Sequence, residues 1–314
     1  MTRNIHIAVL DVDIPPRELY EAHGLCSAHF RNILQATASR LNQTSLCSGQ
    51  PIRISVTPYD IRGGHYPDFR KLRRHPSRST EDENDLIDAV LITGGSPGVY
   101  EMEVSPWMQV LQKFLHTVFD DYPLVKILGT CFGHQLIGHA LLGKANPTEW
   151  DVFVEKCPLG REVGIYTVAM EERFVGAFPH AVGHLAQGQL KIQMFHGDRV
   201  IAVRKDTNGA HGSDGPQLLP EPWVNVGSTP ICPIQGLYHP DRVLSVQGHY
   251  ELSACGMQKM CLDFAPRFGW NPSKLAIMLE QVGTEPETRQ DDAESFATAV
   301  VCFLAGIVNP VEGV

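Results

Sequence analysis

The chain has 314 residues, a hydrophobic fraction of 43% and a formal charge of −9. That apolar share excludes disorder over most of the chain, and at roughly 100–200 residues per domain the length admits one large domain or two small ones. The acidic balance argues against a nucleic-acid partner, and no apolar run approaches the roughly 18 residues of a membrane helix.

The opening MTRNIHIAVLDVD does not read as a signal peptide, because its apolar run is short and acidic residues follow at once. A reducing, cytoplasmic setting is therefore expected. Residues 5–10 read as a buried strand. Pro15-Pro16 opens a helical stretch over 17–35, with Leu19, Ala22, His23, Phe30 and Ile33 near one face. Residues 52–57 alternate as a second strand. The segment 62–85, rich in Arg, Pro, Ser and acidic residues, reads as a mobile surface loop. Residues 86–93 are a third strand, followed by Gly94-Gly95-Ser96-Pro97-Gly98. Residues 106–119 have a helical pattern. Residues 125–128 form a fourth strand leading to Cys131, and 135–142 continue as a helix.

Strands alternating with helices imply an α/β fold with a parallel, doubly wound sheet. Such sheets hold ligands at the carboxyl ends of their strands, where GGSPG and GTCFG both fall. From 162 to 247 the pattern becomes hairpin-like, with short strands over 164–170, 190–198, 199–205 and 243–249 and a Gly/Pro-bearing loop over 206–223. Helices follow from 252, the last over about 291–307. No internal repeat or linker is visible. The expectation is one domain over 1–314, with a core over 5–251 and a helical extension over 252–314.

Eight cysteines are scattered without a C-x-x-C pair, which disfavours a zinc ribbon or thioredoxin-type site. Most read as small buried hydrophobes. His180 and His184 have helical spacing but lack an H-E-x-x-H frame, so no metal site is assigned. Asn42-Gln43-Thr44 matches a glycosylation acceptor, a reading that requires a secreted protein.

Cys131 stands apart because Gly129 and Gly133 flank it at the end of an apolar run, in LGTCFGHQLIG. A cysteine nucleophile must be exposed, must favour its thiolate and needs a base within hydrogen-bond reach. A strand–Cys–helix turn lifts the side chain out of the sheet, and the following helix N-terminus favours the anionic sulfur. Backbone N–H groups at the turn can hold an oxyanion, as in the serine nucleophile elbow. The base is sought in VLSVQGHYE: His249 and Glu251 follow an apolar strand, and their i, i+2 spacing lets both point to one side. His249 is the candidate general base and then acid, with Glu251 holding its tautomer. The plainer readings are an inert core thiol at Cys131, an ordinary turn at GGSPG, a solvated helix residue at Gln135 and a loop brace at Asp198. GGSPG lacks the Lys-Ser/Thr of a phosphate-binding loop. His134 and His139 read as helix residues without chemistry.

GTCFGHQ followed by QGHYE resembles the triad-type class I glutamine amidotransferase family, whose pattern is G-x-C-x-G-x-Q and then H-x-E. The likeness covers roughly residues 5–251. ITGGSPGVYE resembles the family's oxyanion loop, MFHGDRV its glutamine-side loop, and GREVGIYTV the strand that opens its second half. The resemblance implies a three-layer, flavodoxin-like sheet, mostly parallel, with a hairpin-rich second half and C-terminal helices. It implies Cys131 as nucleophile with His249 and Glu251 completing a triad. It implies Gly95 and Phe132 as oxyanion donors and Gln135 as a residue holding the glutamyl group. His196, Gly197 and Asp198 then lie near the α-amino and α-carboxyl end. Tyr250 departs from the family, which usually has proline there.

The implied reaction is cleavage of a γ-glutamyl amide through a thioester on Cys131, without metal or cofactor. Too little chain follows Glu251 for an ATP-using domain, so no amination is completed in cis. Three alternatives remain: a glutaminase-type protein passing ammonia to a separate synthetase, a γ-glutamyl peptidase acting on glutathione or its conjugates, and a catalytically silent binding or regulatory protein. Secondary metabolism is one setting the resemblance allows.

Overall fold

The computed structural model describes residues 2–47, 50–76, 85–205, 219–283 and 291–311. Its first half alternates strands and helices: β1 (Arg3–Asp11), α1 (Arg17–His23), α2 (Cys26–Leu41), β2 (Ile52–Asp60), β3 (Ala89–Ile92), α3 (Pro106–Asp121), β4 (Lys126–Thr130), α4 (Phe132–Ile137) and α5 (Gly143–Ala145). The second half runs β5 (Trp150–Lys156), β6 (Glu162–Met170), α6 (Glu172–Ala177), α7 (Pro179–Val182), β7 (Gln189–His196), β8 (Asp198–Arg204), β9 (Val224–Asn225), β10 (Gly227–Ser228), β11 (Gly236–His239) and β12 (Val243–Val246). Three helices follow: α8 (Ala254–Phe264), α9 (Pro272–Val282) and α10 (Ala293–Ala305).

The main sheet has the order β2-β1-β3-β4-β12-β11-β9. From β2 through β12 every neighbouring pair is parallel, and β11 and β9 close the far edge antiparallel. This is the mostly parallel α/β sheet expected from the sequence. Its strands are apolar along both faces because helices cover both. In β1 the period-2 alternation sorts Ile5, Ile7 and Val9 into the core shared with α2 and α10, and Ala8 and Leu10 into the core shared with α3 and α4. Two smaller antiparallel sheets, β10-β6-β7 and β5-β8, form the hairpin-rich half.

Several boundaries differ from the sequence reading. The helical stretch over 17–35 is two helices, broken at Gly24, whose φ of 82° is open to glycine and strained for other residues. Leu19 and Phe30 are buried, but Ala22 and His23 face solvent because the break resets the helical phase. The fourth helical segment starts at Phe132 rather than 135, and a π turn over Gly138–Leu142 separates α4 from α5. The start of the 62–85 segment is anchored rather than loose. Tyr66 and Phe69 pack on Phe114 at 5.3 and 5.4 Å, and Arg73, 6% exposed, pairs with Asp88 at 2.6 Å. Residues 77–84 and 206–218 of the two expected loops lie outside the described residues.

The C-terminal extension is built into the fold. α10 is buried against α2 and the sheet. α8 and α9 form a third apolar cluster with Leu19 of α1 and with Val163 and Phe195 of β6 and β7. Among the described residues no helix is long and apolar enough to cross a membrane.

Candidate active site

β4 and β12 are parallel neighbours, with Thr130 in register with Val246. The residues that leave these two strands therefore emerge side by side at their carboxyl ends, which brings Cys131 and His249 together across more than a hundred residues of sequence.

Cys131 sits at φ 48°, ψ −109°, in a region that L-residues avoid. Its N–H donates to Val246 O at 3.0 Å, and its carbonyl accepts from Gln135 N at 3.0 Å, so the turn is held from both sides. The flanking glycines do not supply the strained dihedral. They make room instead: a Cβ on Gly129 would lie 2.6 Å from Ile137 Cδ1, and one on Gly133 would overlap Ile92 O. Both clashes would push α4 off β3 and β4.

His249 is bridged to β7 by its N–H, which donates to Gln193 O at 2.8 Å. Its Nδ1–H donates to Glu251 Oε1 at 2.7 Å. Its Nε2 is buried without a hydrogen-bond partner. Burial works against the imidazolium, but the Glu251 carboxylate and the Cys131 sulfur together outweigh it and raise the ring's pKa. Tyr250, between the two, points the opposite way into the core, where its ring meets Phe30 at 5.6 Å and Phe296 at 5.4 Å. The departure from proline thus changes the core side of the strand end and leaves the His249–Glu251 contact intact.

Gly94 faces Cys131 just past the end of β3, and Gly95 beside it lines the same cavity. A Cβ on Gly94 would lie 3.2 Å from His249 Cε1 and 3.5 Å from Cys131 Cβ, so a side chain there would crowd the space between them. The sequence reading named Gly95 and missed Gly94. Among the described residues neither Gly95 N–H nor Phe132 N–H is bound by an acceptor, which leaves both available to an oxyanion.

Gln135 is buried, not solvated. Its Nε2 donates to Gln247 Oε1 at 3.1 Å and to Asp198 O at 3.2 Å. His196 places Nδ1 2.9 Å from Asp198 O and Nε2 2.8 Å from Glu162 Oε2. Both ring nitrogens thus face oxygen acceptors, and the loop through Gly197 is pinned between them. Burial opposes the Glu162 charge, but hydrogen bonds from His196 and Thr229 outweigh it and lower the carboxyl pKa. The Asp198 side chain lines the cavity above Cys131 and faces Tyr100, and burial raises its pKa.

Glu162, His196 and Cys232 form a buried cluster of metal-binding residue types, separate from Cys131. The 2.8 Å between the carboxylate and the ring is hydrogen-bond length, shorter than the separation of about 3.3 Å between two ligands of one tetrahedral zinc. Burial also pushes the Cys232 thiol pKa well up. The cluster is a hydrogen-bonded brace. His134 is likewise structural: fully buried, it links α4 to Ser245 Oγ at 2.9 Å and Ile234 O at 3.2 Å.

These groups open into a cavity of about 320 Å³. Its lining includes all nine candidate residues except Phe132, whose side chain packs into the core. It also includes groups that sequence reasoning missed: His29, Tyr100, Lys156, Arg161, Phe195, and Met260, Phe264 and Phe268 from the extension. Tyr100, Arg161 and Phe195 fall inside the family-like stretches without being singled out by them, no local motif marks the others, and together they reach the site from five separate segments.

Residues 67–264 match the sequence profile of the family Glutamine amidotransferase class-I, and the chain belongs to that family. A Schizosaccharomyces pombe protein described as a putative glutamine amidotransferase-like protein is 25% identical over 248 residues, 79% of each chain. A Saccharomyces cerevisiae protein described as a putative glutamine amidotransferase is 29% identical over 182 residues, 56% of this chain and 58% of that protein. Among solved structures, a glutamine amidotransferase from Thermotoga maritima superimposes with a TM-score of 0.58 at 16% identity, covering 96% of this chain and 97% of that one. One from Methylobacillus flagellatus gives 0.54 at 14% identity, covering 100% and 98%. These two likenesses concern the fold.

Proposed function

We propose that the protein hydrolyses a γ-glutamyl amide by way of a thioester on Cys131. The observation that carries this reading is the orientation of His249, with Nδ1 held by Glu251 and Nε2 left unpartnered on the Cys131 side. In the first step His249 takes the Cys131 thiol proton and the sulfur bonds to the carbonyl carbon of the γ-amide. The carbonyl electrons move onto oxygen, where the N–H groups of Gly95 and Phe132 receive them. His249 gives its proton to the amide nitrogen as the carbon–nitrogen bond breaks. In the second step His249 takes a proton from water, the hydroxide oxygen bonds to carbon, and sulfur leaves. Glu251 holds the imidazole tautomer throughout. The products are glutamate and ammonia or an amine.

In the same reading Gln135, His196, Gly197 and Asp198 seat the glutamyl head. The hydrogen bonds that join Gln135 and His196 to the Asp198 carbonyl support this, since they fix the loop at the cavity wall. The extension belongs to the same unit, because α8 lends side chains to the same cavity. Ammonia would serve a separate synthetase. A larger amine would make the protein a γ-glutamyl peptidase.

The test is glutamate release by the purified protein from glutamine, glutathione and an S-alkyl glutathione, with Cys131→Ala as control. Release that disappears in the variant is expected. Absence of release from all three substrates would sink the hydrolase reading.

A further inference from the structure

The cavity has two unlike walls. One is polar and carries Gln135, Asp198 and Lys156. The other is apolar: Leu19, Phe195, Leu252, Met260, Phe264 and Phe268 all line the cavity and belong to one hydrophobic cluster. Leu19, Phe195 and Leu252 are buried, whereas Met260, Phe264 and Phe268 are only half-buried and keep apolar surface turned to the opening. The three rings are packed together. Phe195 meets Phe264 edge-on at 5.4 Å, Phe268 lies 5.9 Å from Phe195 and 5.4 Å from Phe264, and the Arg161 guanidinium covers Phe268 at 3.9 Å. The wall is preformed and leaves apolar area facing water, a cost that an apolar ligand would relieve.

Its position relative to the chemistry says which part of a substrate it meets. The leaving nitrogen must receive its proton from His249, so the leaving group emerges on the His249 side of Cys131. Leu252 directly follows Glu251 and opens the segment that becomes α8, and Leu19 packs against that segment. Hydrolysis of glutamine, which releases ammonia, gives this wall nothing to touch.

Resting on the hydrolase reading above, we infer that the substrate is a γ-glutamyl amide whose amine bears an apolar group of about the size of a phenyl ring, seated on the Phe195–Phe264–Phe268 wall. The reaction consumes one water: the carbon–nitrogen bond breaks, the amine leaves with the His249 proton, and the water oxygen ends in the new carboxylate of glutamate.

The experiment compares γ-glutamyl-2-phenylethylamide with γ-glutamyl-ethylamide, two primary alkylamides that differ by the ring, with glutamine alongside. In the unaltered protein kcat/KM for the phenylethylamide is expected to exceed that for the ethylamide by about 10- to 100-fold, the usual range for filling an apolar subsite. The ratio is expected to fall several-fold in Phe264→Ala and, independently, in Met260→Ala. The comparison within the unaltered protein does not depend on either variant folding. Turnover of glutamine and both amides with a ratio near or below one would overturn the subsite and leave the hydrolase reading standing. No turnover of any of the three would overturn both.

Discussion

His249 Nδ1 and Glu251 Oε1 lie 2.7 Å apart, while Tyr250 between them is turned into the core against Phe30 and Phe296. Strand-like alternation thus aims two residues at the cavity and anchors the third. The anchor matters, since the imidazole must hold one orientation through both halves of a thioester cycle.

Glu251→Gln keeps the size of the side chain and removes the charge that holds the His249 tautomer. On the proposed mechanism kcat for glutamate release falls by about 1,000- to 10,000-fold with KM changed far less. Steady-state kinetics on glutamine or a γ-glutamyl amide measure it. A loss confined to KM would place Glu251 in substrate binding instead.

Cys131 carries a positive φ without being glycine, a strain of about 1–2 kcal/mol. Cys131→Gly can relax there and Cys131→Ala cannot. The glycine variant is therefore expected to be the more stable of the two inactive proteins by about 1 kcal/mol in denaturant unfolding, despite its more flexible unfolded chain. An alanine variant of equal or greater stability would show that the turn is not strained.

Much of this site was readable from the sequence because its constraints are local. A cysteine between close-packed glycines and a His-x-Glu after an apolar strand each carry their geometry in a few residues, and the parallel β4–β12 pairing joins them. The glycines were readable as a signal, but their physical reason is α4 lying directly on β3, not backbone freedom. Gly24 was read through as helix because a single glycine costs only about 1 kcal/mol there. The aromatic wall was not readable as a unit, although Phe195 falls inside the MFHGDRV stretch. Phe195 lies in a strand and Phe264 and Phe268 in and beyond a helix, and only the docking of α8 and α9 on β6 and β7 brings them over Cys131. Nor did any pattern link Glu162 to His196, which are paired through the register of β6 with β7.

His134 should make the fold acid-sensitive. Burial holds its ring neutral, with a pKa near 3 against an ordinary value of 6.5. Between those values the unfolded chain binds a proton that the folded protein refuses, so stability is lost as pH falls below about 6.5, at about 1.4 kcal/mol per pH unit for this one group. In His134→Gln that component is absent. Urea unfolding at pH 7.5, 6 and 5 should show the variant less stable at pH 7.5 and the difference shrinking toward pH 5. Parallel pH profiles would rule the group out.

Glu162 meets the His196 ring at 2.8 Å, and His196 in turn braces the Asp198 carbonyl that Gln135 also reaches. Glu162→Gln weakens this chain of bonds without touching Cys131 or His249. A charge-assisted hydrogen bond lost in the interior costs about 1.5–3 kcal/mol of stability. Because the Glu162 pKa is lowered in the fold, that contribution is present above its ordinary value near 4.5 and lost as pH falls below it, so the variant's deficit should be largest at neutral pH and shrink in acid. If the loop through Gly197 seats the glutamyl head, KM should rise by about tenfold, with kcat staying within about threefold, since uniform binding is lost while the chemistry is spared. A fall in kcat larger than the rise in KM would instead put the Glu162–His196 pair in the chemical step, and the loop would have to be reassigned from holding the substrate to moving a proton.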